Sequence, residues 1–416
     1  MRLKDLPLRV TALTTAALVV VPAVLLLLLP RKLASGLDRL MPDAALLQSF
    51  AARPAQPPPA LWQKRLGPQE AERHWRLQRR FWWQFWGPHG EAGAYLVFSA
   101  SAHEPLPTNG LRLDDLIVVA PSPLARQLLQ EQLKLRRRPP RGLDQRCSED
   151  LLQREAVHWN PAALAQMLGP LAPLAMTLQQ GCLVLRSEGS ELVWQGEADA
   201  SPNALQAAPD RLAVPSFGAK PPATQLLELR GLRLELLLRG LLSTGLLRTT
   251  LAERYGLGIE QVRRLQGAQF ALRLSSQPKG PYRAGLQLLV RLPGDRELWD
   301  RWLQDLSRTL ESQGLTRSQP APELSLWSRE DGETVGGWRW LGATQLLLFV
   351  GPSPTEVPRL EAPIGADWQL LIQPAQLEAQ QLLPPGLPLV VRRSAQLVLQ
   401  GRGSGQSALA GRLELR

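Results

Sequence analysis

The residues able to do chemistry in this chain are few and scattered. Its 416 residues include four histidines, His74, His89, His103 and His158, and two cysteines, Cys147 and Cys182. A zinc site draws on pairs of such ligands at short spacing, as in H-x-x-x-H or C-x-x-C. No pair here has that spacing, so no metal ligands are assigned. His158, beside Trp159, reads as structural. There is no G-x-S-x-G elbow and no Walker A sequence. Gly401-Arg402-Gly403-Ser404-Gly405 is glycine-rich like a phosphate loop, but it lies between two alternating segments with no helix after it, and reads as a turn. Asp114-Asp115 borders a strand, and Glu330-Asp331 falls in a turn. Paired acids do acid–base work only when a cleft shifts their pKa values, and both pairs read as solvated. The sequence assigns no catalytic, cofactor-binding or metal-binding residue.

The elements that would have to position any site begin with Val10–Leu29, a run of 20 residues without charge. About 20 apolar helical residues span one bilayer core. Residues 1–34 are therefore expected to be an N-terminal transmembrane anchor. Arg2, Lys4 and Arg9 before the run balance Arg31, Lys32 and Arg39 after it, so charge does not orient it. The expectation is a single-pass membrane protein with its body on the extracytoplasmic side. Residues 35–60 follow as a Pro-rich stalk. The whole chain carries net charge +11. Its basic residues are spread over strands and helix ends and form no recognised nucleic-acid module, so the anionic partner expected is lipid.

Two stretches concentrate that charge. Gly67–Trp86 reads as a helix carrying Arg73, Arg76, Arg79 and Arg80 ahead of Phe81-Trp82-Trp83-Gln84-Phe85-Trp86. The tryptophans read first as core packing with the arginine stems covering its edges, and second as an interfacial surface, since basic residues beside tryptophan suit anionic headgroups. Lys134–Arg141 ends a helix in a basic, proline-broken loop. Arg76, Arg79, Arg80, Trp82, Trp83, Trp86, Arg136, Arg137 and Arg138 are the candidate lipid-headgroup contacts.

The body reads as a duplication. Trp159–Gly196 resembles Trp368–Gly411: Pro161-Ala162-Ala163-Leu164 answers Pro374-Ala375-Gln376-Leu377, Leu183-Val184-Leu185 answers Leu397-Val398-Leu399, and each copy continues through Gly-Ser to a further glycine. Leu116–Pro123 resembles Leu347–Pro354 more weakly, and a Trp-bearing helical stretch, Gly67–Gln84 or Gly294–Gln313, precedes each. The expected fold is α+β: the transmembrane helix, then a duplicated body of antiparallel β-meanders with packed helices. The first unit covers 61–201, a linker 202–224, and the second unit 225–416 with extra strands at its start. Within these, Ser122 with Pro123 signals an N-cap and first turn. Leu226–Leu242 reads as β, 270–276 with 282–292 as a hairpin, 296–311 as a helix, and 325–340 as a hairpin about Asp331-Gly332. Cys147 and Cys182 fit a disulfide or two buried thiols equally.

The single amino-terminal span, the Pro-rich stalk and the paired Pro-Ala-x-Leu elements, in a Leu-, Gln-, Trp- and Arg-rich chain, resemble a family of uncharacterised single-span membrane-anchored proteins of cyanobacteria. That resemblance implies a tethered body and assigns no activity to any residue. The function expected is a membrane-tethered, non-enzymatic binding or scaffolding protein, with lipid through its anchor and a protein partner. The alternatives are a carrier or sensor of an apolar ligand such as lipid or pigment, and a hydrolase without a recognisable motif.

Overall fold

The computed structural model describes residues 34–87, 93–135, 139–161, 179–199, 208–218, 221–243, 249, 255, 258–277, 282–383, 389–403 and 405–415. In the first half the strands are β1 (Leu46–Ala51), β2 (Phe81–Trp86), β3 (Tyr95–Ser99), β4 (Gly110–Leu113), β5 (Leu116–Val119), β6 (Ala156–Trp159), β7 (Gln180–Glu188) and β8 (Glu191–Asp199). Helices α1 (Ala60–Leu66) and α2 (Pro68–Leu77) lie between β1 and β2, and α3 (Pro123–Leu133) and α4 (Gly142–Gln153) lie between β5 and β6. The second half begins with β9 (Gln225–Gly231), α5 (Leu234–Ser243), α6 (Ile259–Arg264), β10 (Phe270–Ser276), β11 (Ala284–Arg291) and α7 (Arg296–Ser312). It continues with β12 (Thr316–Ala321), β13 (Leu324–Ser328), β14 (Thr334–Trp340), β15 (Gln345–Val350), β16 (Trp368–Ile372), α8 (Pro374–Ala379), α9 (Leu389–Arg393), β17 (Gln396–Arg402) and β18 (Gln406–Glu414).

The 18 strands form one antiparallel sheet. Following the pairings from edge to edge gives β4-β5-β3-β2-β1-β6-β7-β8, then β18-β17-β16-β9-β10-β11-β15-β14-β13-β12. The expected fold is corrected here. The two meanders share a single continuous sheet, joined by the nine-residue ladder between β8 and β18. No helix among the described residues is long and apolar enough to cross a membrane, and Val10–Leu29 lies outside them. The transmembrane and single-pass expectations, and the localisation built on them, are withdrawn with it. Residues 35–60 do not stand off the body either. Leu37, Leu40 and Met41 are buried in the first-half core with Leu47 of β1, which pairs with both β2 and β6. The Pro-rich piece merely links β1 to α1.

Strand order repeats outward from the β8·β18 pair. β1, β2, β3, β5 and β6 in the first half occupy the places of β9, β10, β11, β15 and β16 in the second. The sequence matches at Trp159–Gly196 and Leu116–Pro123 fall on corresponding strands. The Trp-bearing helices do not correspond, since α2 precedes β2 whereas α7 follows β11. Corresponding Trp–Gly pairs face each other across strands, Trp159 over Gly181 and Trp368 over Gly401. At the centre Trp194 lies over Gly411, and Leu409 faces Gly196. A large ring needs an absent side chain opposite it, which is the close approach that glycine alone allows in a strand.

One face of the sheet carries α1 and α2 in the first half and α5 and α7 in the second. Trp62, Trp75 and Trp82 pack there with Phe98, with Trp62–Trp75 ring centroids 5.1 Å apart. In the second half Leu234, Trp299, Leu303 and Leu310 close over Phe270 and Trp338. Leu226–Leu242 thus divides into β9 and the helix α5, because Leu234, Leu237 and Leu238 fall on one helical stripe that docks on this core. On the opposite face α3 and α4 cover Trp83, Phe85, Tyr95 and Val97. Cys147 of α4 and Cys182 of β7 are disulfide-bonded, with Cα atoms 5.7 Å apart, within bridging range.

Two measurements check this packing. A Cβ on Gly196 would meet the Cys182 carbonyl oxygen at 1.9 Å. Gly196→Ala should therefore cost about 1–3 kcal/mol, as overpacking does, in urea denaturation, whereas Gly189→Ala, in the β7–β8 turn, should show only the strain of its positive φ. Replacing Cys147 and Cys182 together by serine should cost about 2–5 kcal/mol, as loss of a native disulfide does. Wild-type protein denatured without reductant should titrate no free thiol.

Candidate functional site

The two halves differ most in the connection that follows β5 or β15. In the first half it supplies α3 and α4, which seal the sheet with apolar side chains. In the second it is the loop Gly351–Asp367, whose Val357 and Leu360 pack on a small cluster around Leu289, Leu347 and Phe349. The strands beneath have changed accordingly. Where β1, β2 and β3 present Leu47, Trp83, Phe85 and Val97 to that face, β9, β10 and β11 present Glu228, Arg230, Arg273 and Gln287.

These polar groups form a buried network. Glu228 is 2% exposed and sits between Arg230 and Arg273. Arg273 donates to Glu228 Oε2 through Nε at 2.8 Å and through Nη2 at 2.8 Å. Arg230 binds Glu228 Oε1 and reaches Glu361 Oε2 at 3.3 Å. Two guanidinium groups thus meet two carboxylates. A buried carboxylate without such partners would carry a large desolvation cost.

Beside this network is a cavity of about 370 Å³. Its floor is Arg273, Ser275 and Gln287, its end wall Thr224, Gln225 and Gln277, and its roof Pro352–Glu356. Prolines apart, the lining is hydroxyl, amide or charged. Gln287 is 8% exposed, and its Oε1 has no hydrogen-bond partner. Buried polar atoms in native structures are nearly always satisfied, so this unpartnered acceptor, on a side chain that lines the cavity, sets Gln287 apart from the other lining residues. Gln373 Nε2, donating to the Pro222 carbonyl at 3.1 Å and to the Gln225 carbonyl at 2.5 Å, pins the end wall to α8.

A second polar cluster lies under α4. Gln180 Nε2 donates to Asp144 Oδ1 at 2.5 Å and lies 3.1 Å from His158 Nε2. That bonding makes His158 Nε2 an acceptor and leaves the proton on Nδ1, which is buried without a partner. Burial pushes the Asp144 carboxyl from 3.8 up to about 6, with the Gln180 hydrogen bond opposing it. Burial lowers His158 from 6.5 to about 4. Asp199 flanks Gln180 on β8, and Arg146 binds Glu197 bidentately at 2.6 and 2.8 Å. An acid beside a neutral imidazole could exchange protons, but Gln180 intervenes and Asp144 Oδ1 stands 3.9 Å from His158 Nε2.

Two of the candidate headgroup contacts, Trp82 and Trp83, are withdrawn into the core. The helix ends at Leu77, and Phe81–Trp86 is a strand, as suits its run of aromatic residues. Trp82 and Trp83 therefore point to opposite faces and are both buried, with Trp83 Nε1 donating to the Leu151 carbonyl at 2.8 Å. Trp86 is half-buried. Arg79 and Arg80 are exposed, and Arg76 is exposed and paired with Glu72. Arg136, Arg137 and Arg138 lie outside the described residues. Asp114 occupies the β4–β5 turn at φ 54, and its Oδ2 accepts from the Gly36 N–H at 2.6 Å. His74 is buried with Nδ1 2.5 Å from Glu104 Oε1. No set of three or more metal-ligating side chains converges among the described residues. The cavity residues went unnoticed in the sequence, where Leu227-Glu228-Leu229-Arg230 and Leu272-Arg273-Leu274-Ser275 look like strands with one wet face.

The chain matches no family model, no curated protein and no solved structure.

The Asp144–His158 cluster makes a pH prediction. Asp144, with its folded pKa raised, loses stabilising effect as pH rises from about 4 to 6. His158, with its folded pKa lowered, gains it as pH rises from about 4 to 6.5. The two slopes oppose each other. Asp144→Asn should make stability rise more steeply with pH over this window than in the wild type, and His158→Gln should tilt it the other way. Urea midpoints at pH 4, 5 and 6 measure this; parallel profiles for all three proteins would refute it.

Proposed function

We propose that this protein is a non-enzymatic binding protein whose second half holds a small polar ligand in the cavity beneath Pro352–Glu356. The observation that carries this reading is the polar lining of the cavity, which includes the buried Gln287 with its unpartnered Oε1. The cavity volume falls in the range of about 300–1,000 Å³ usual for small-molecule sites. The contrast between the halves supports it too. The first half seals the corresponding face with two helices and apolar side chains, whereas the second keeps polar groups under a proline-rich loop.

Polar walls argue against an apolar ligand at this place, since desolvated amides and hydroxyls would lose their hydrogen bonds to it. Among the described residues of the cavity wall none pairs a nucleophile with a base. The lining instead supplies recognition through multiple hydrogen bonds, and the Arg230–Glu228–Arg273 network stiffens the floor.

The test is native mass spectrometry of the full chain, purified gently, with small molecules released and identified. The wild type should retain a polar molecule at one per chain. Thr355→Trp, at an exposed roof position, should exclude it without altering the melting curve of ligand-free protein. A molecule retained equally by wild type and variant would place binding elsewhere.

A further inference from the structure

We infer that the ligand of this cavity is neutral and polyhydroxylated, of saccharide chemistry. The inference rests on the binding reading above and adds the ligand class.

Charge is the first argument. Among the described residues of the cavity wall Arg273 is the one cation, and its Nε and Nη2 are already committed to Glu228. Glu228 is matched by two guanidinium groups, and the second of these also reaches Glu361. A carboxylate or phosphate ligand would meet Glu356 at the roof and find no uncommitted cation among the cavity residues to offset its lost hydration. An ammonium ligand would approach the Arg273 guanidinium. Either charge would be desolvated without a dedicated partner, which is costly.

Hydrogen bonding is the second. Gln225 and Gln287 bring side-chain amides to the wall, whose oxygens take donors, so a ligand bearing O–H groups fits them. Thr224, Ser275 and Ser276 add hydroxyls, each able to donate and to accept, and Gln277 adds an amide. A polyol matches such a wall group for group, because each of its hydroxyls also donates and accepts. An apolar body would leave these groups unpaired, and among the lining residues only Pro222, Pro352 and Pro354 offer apolar surface.

The experiment titrates the full chain with maltose, sucrose, trehalose and N-acetylglucosamine, and with glutamate, citrate and choline, using ligand-observed NMR and calorimetry. At least one saccharide should bind. Its affinity should fall about 3- to 10-fold in Gln287→Leu, as expected for one hydrogen bond, and binding should vanish in Thr355→Trp. Melting curves establish that both variants fold. Glutamate, citrate or choline binding that Thr355→Trp abolishes, with the saccharides silent, would overturn the saccharide inference and keep the binding reading. Saccharide binding indifferent to Thr355→Trp would overturn the assignment to this cavity. Silence from every probe would overturn the inference, and if native mass spectrometry also finds no retained molecule, the binding reading falls with it.

Discussion

The ladder between β8 and β18 is the interaction on which the rest of the molecule depends. Glu191–Asp199 pairs with Gln406–Glu414 over nine residues, and without it the 18 strands would be two sheets. Its register is set by volume. Trp194 needs the bare backbone of Gly411, and on the other side of β8 Gly196 lets the β7 backbone at Cys182 and Leu183 come close. A one-residue slip would turn every side chain of one strand to the other face, setting Trp194 against Ala410 or Arg412. The same tryptophan–glycine complement recurs at Trp159–Gly181 and Trp368–Gly401, so size matching sets the central register at three places. The segment 208–218 then lies across the ladder. Leu212 packs on Ala408 and Ala410, its carbonyl accepts from Gln195, and the Ala213 carbonyl accepts from Gln400.

With that centre held, the two halves are free to differ at their outer strands. In the first half both faces are sealed by helices, and the Cys147–Cys182 bond ties α4 to β7. In the second, one face is sealed by α5 and α7, while the other gives up helices for a proline-rich loop. Prolines hold an extended course without needing backbone donors, so such a loop can roof a cavity without collapsing into it. The polar network below is the counterpart of that exchange. Remove the apolar lid and the side chains facing it must be able to satisfy one another, as Arg230, Glu228 and Arg273 do.

Much of the skeleton was legible in the sequence. The hairpins at 270–291 and about Asp331-Gly332, the helix 296–312 and the Ser122 cap on α3 all follow from local pattern, and Ser122 Oγ does accept the Ala125 N–H at 3.1 Å. Trp159–Gly196 and Trp368–Gly411 pointed to the central strands. The misreadings share a physical cause. Phe81–Trp86 continues the basic run of the preceding helix in sequence, yet Trp82 and Trp83 each require a different buried face. Leu226–Leu242 alternates for only its first turns, and leucine suits strand and helix alike, so docking on Phe270 and Trp338 decides the outcome. The candidate site was invisible for a related reason. Alternation marks Glu228, Arg273 and Gln287 as polar positions on one face, and nothing local says that a loop more than sixty residues away in sequence will cover them.

The central ladder also sets an order of events during synthesis. β8 leaves the ribosome roughly two hundred residues ahead of β18, and its other neighbour, β7, is already in place. In that interval the growing chain carries a nine-residue strand with one side of its backbone unpaired, the kind of edge that recruits strands from other molecules. Glu191 places negative charge at the start of that edge. Nascent copies would repel one another there, and the basic Arg412 of β18, which lies 3.2 Å from Glu191 in the finished fold, would be favoured over a second β8.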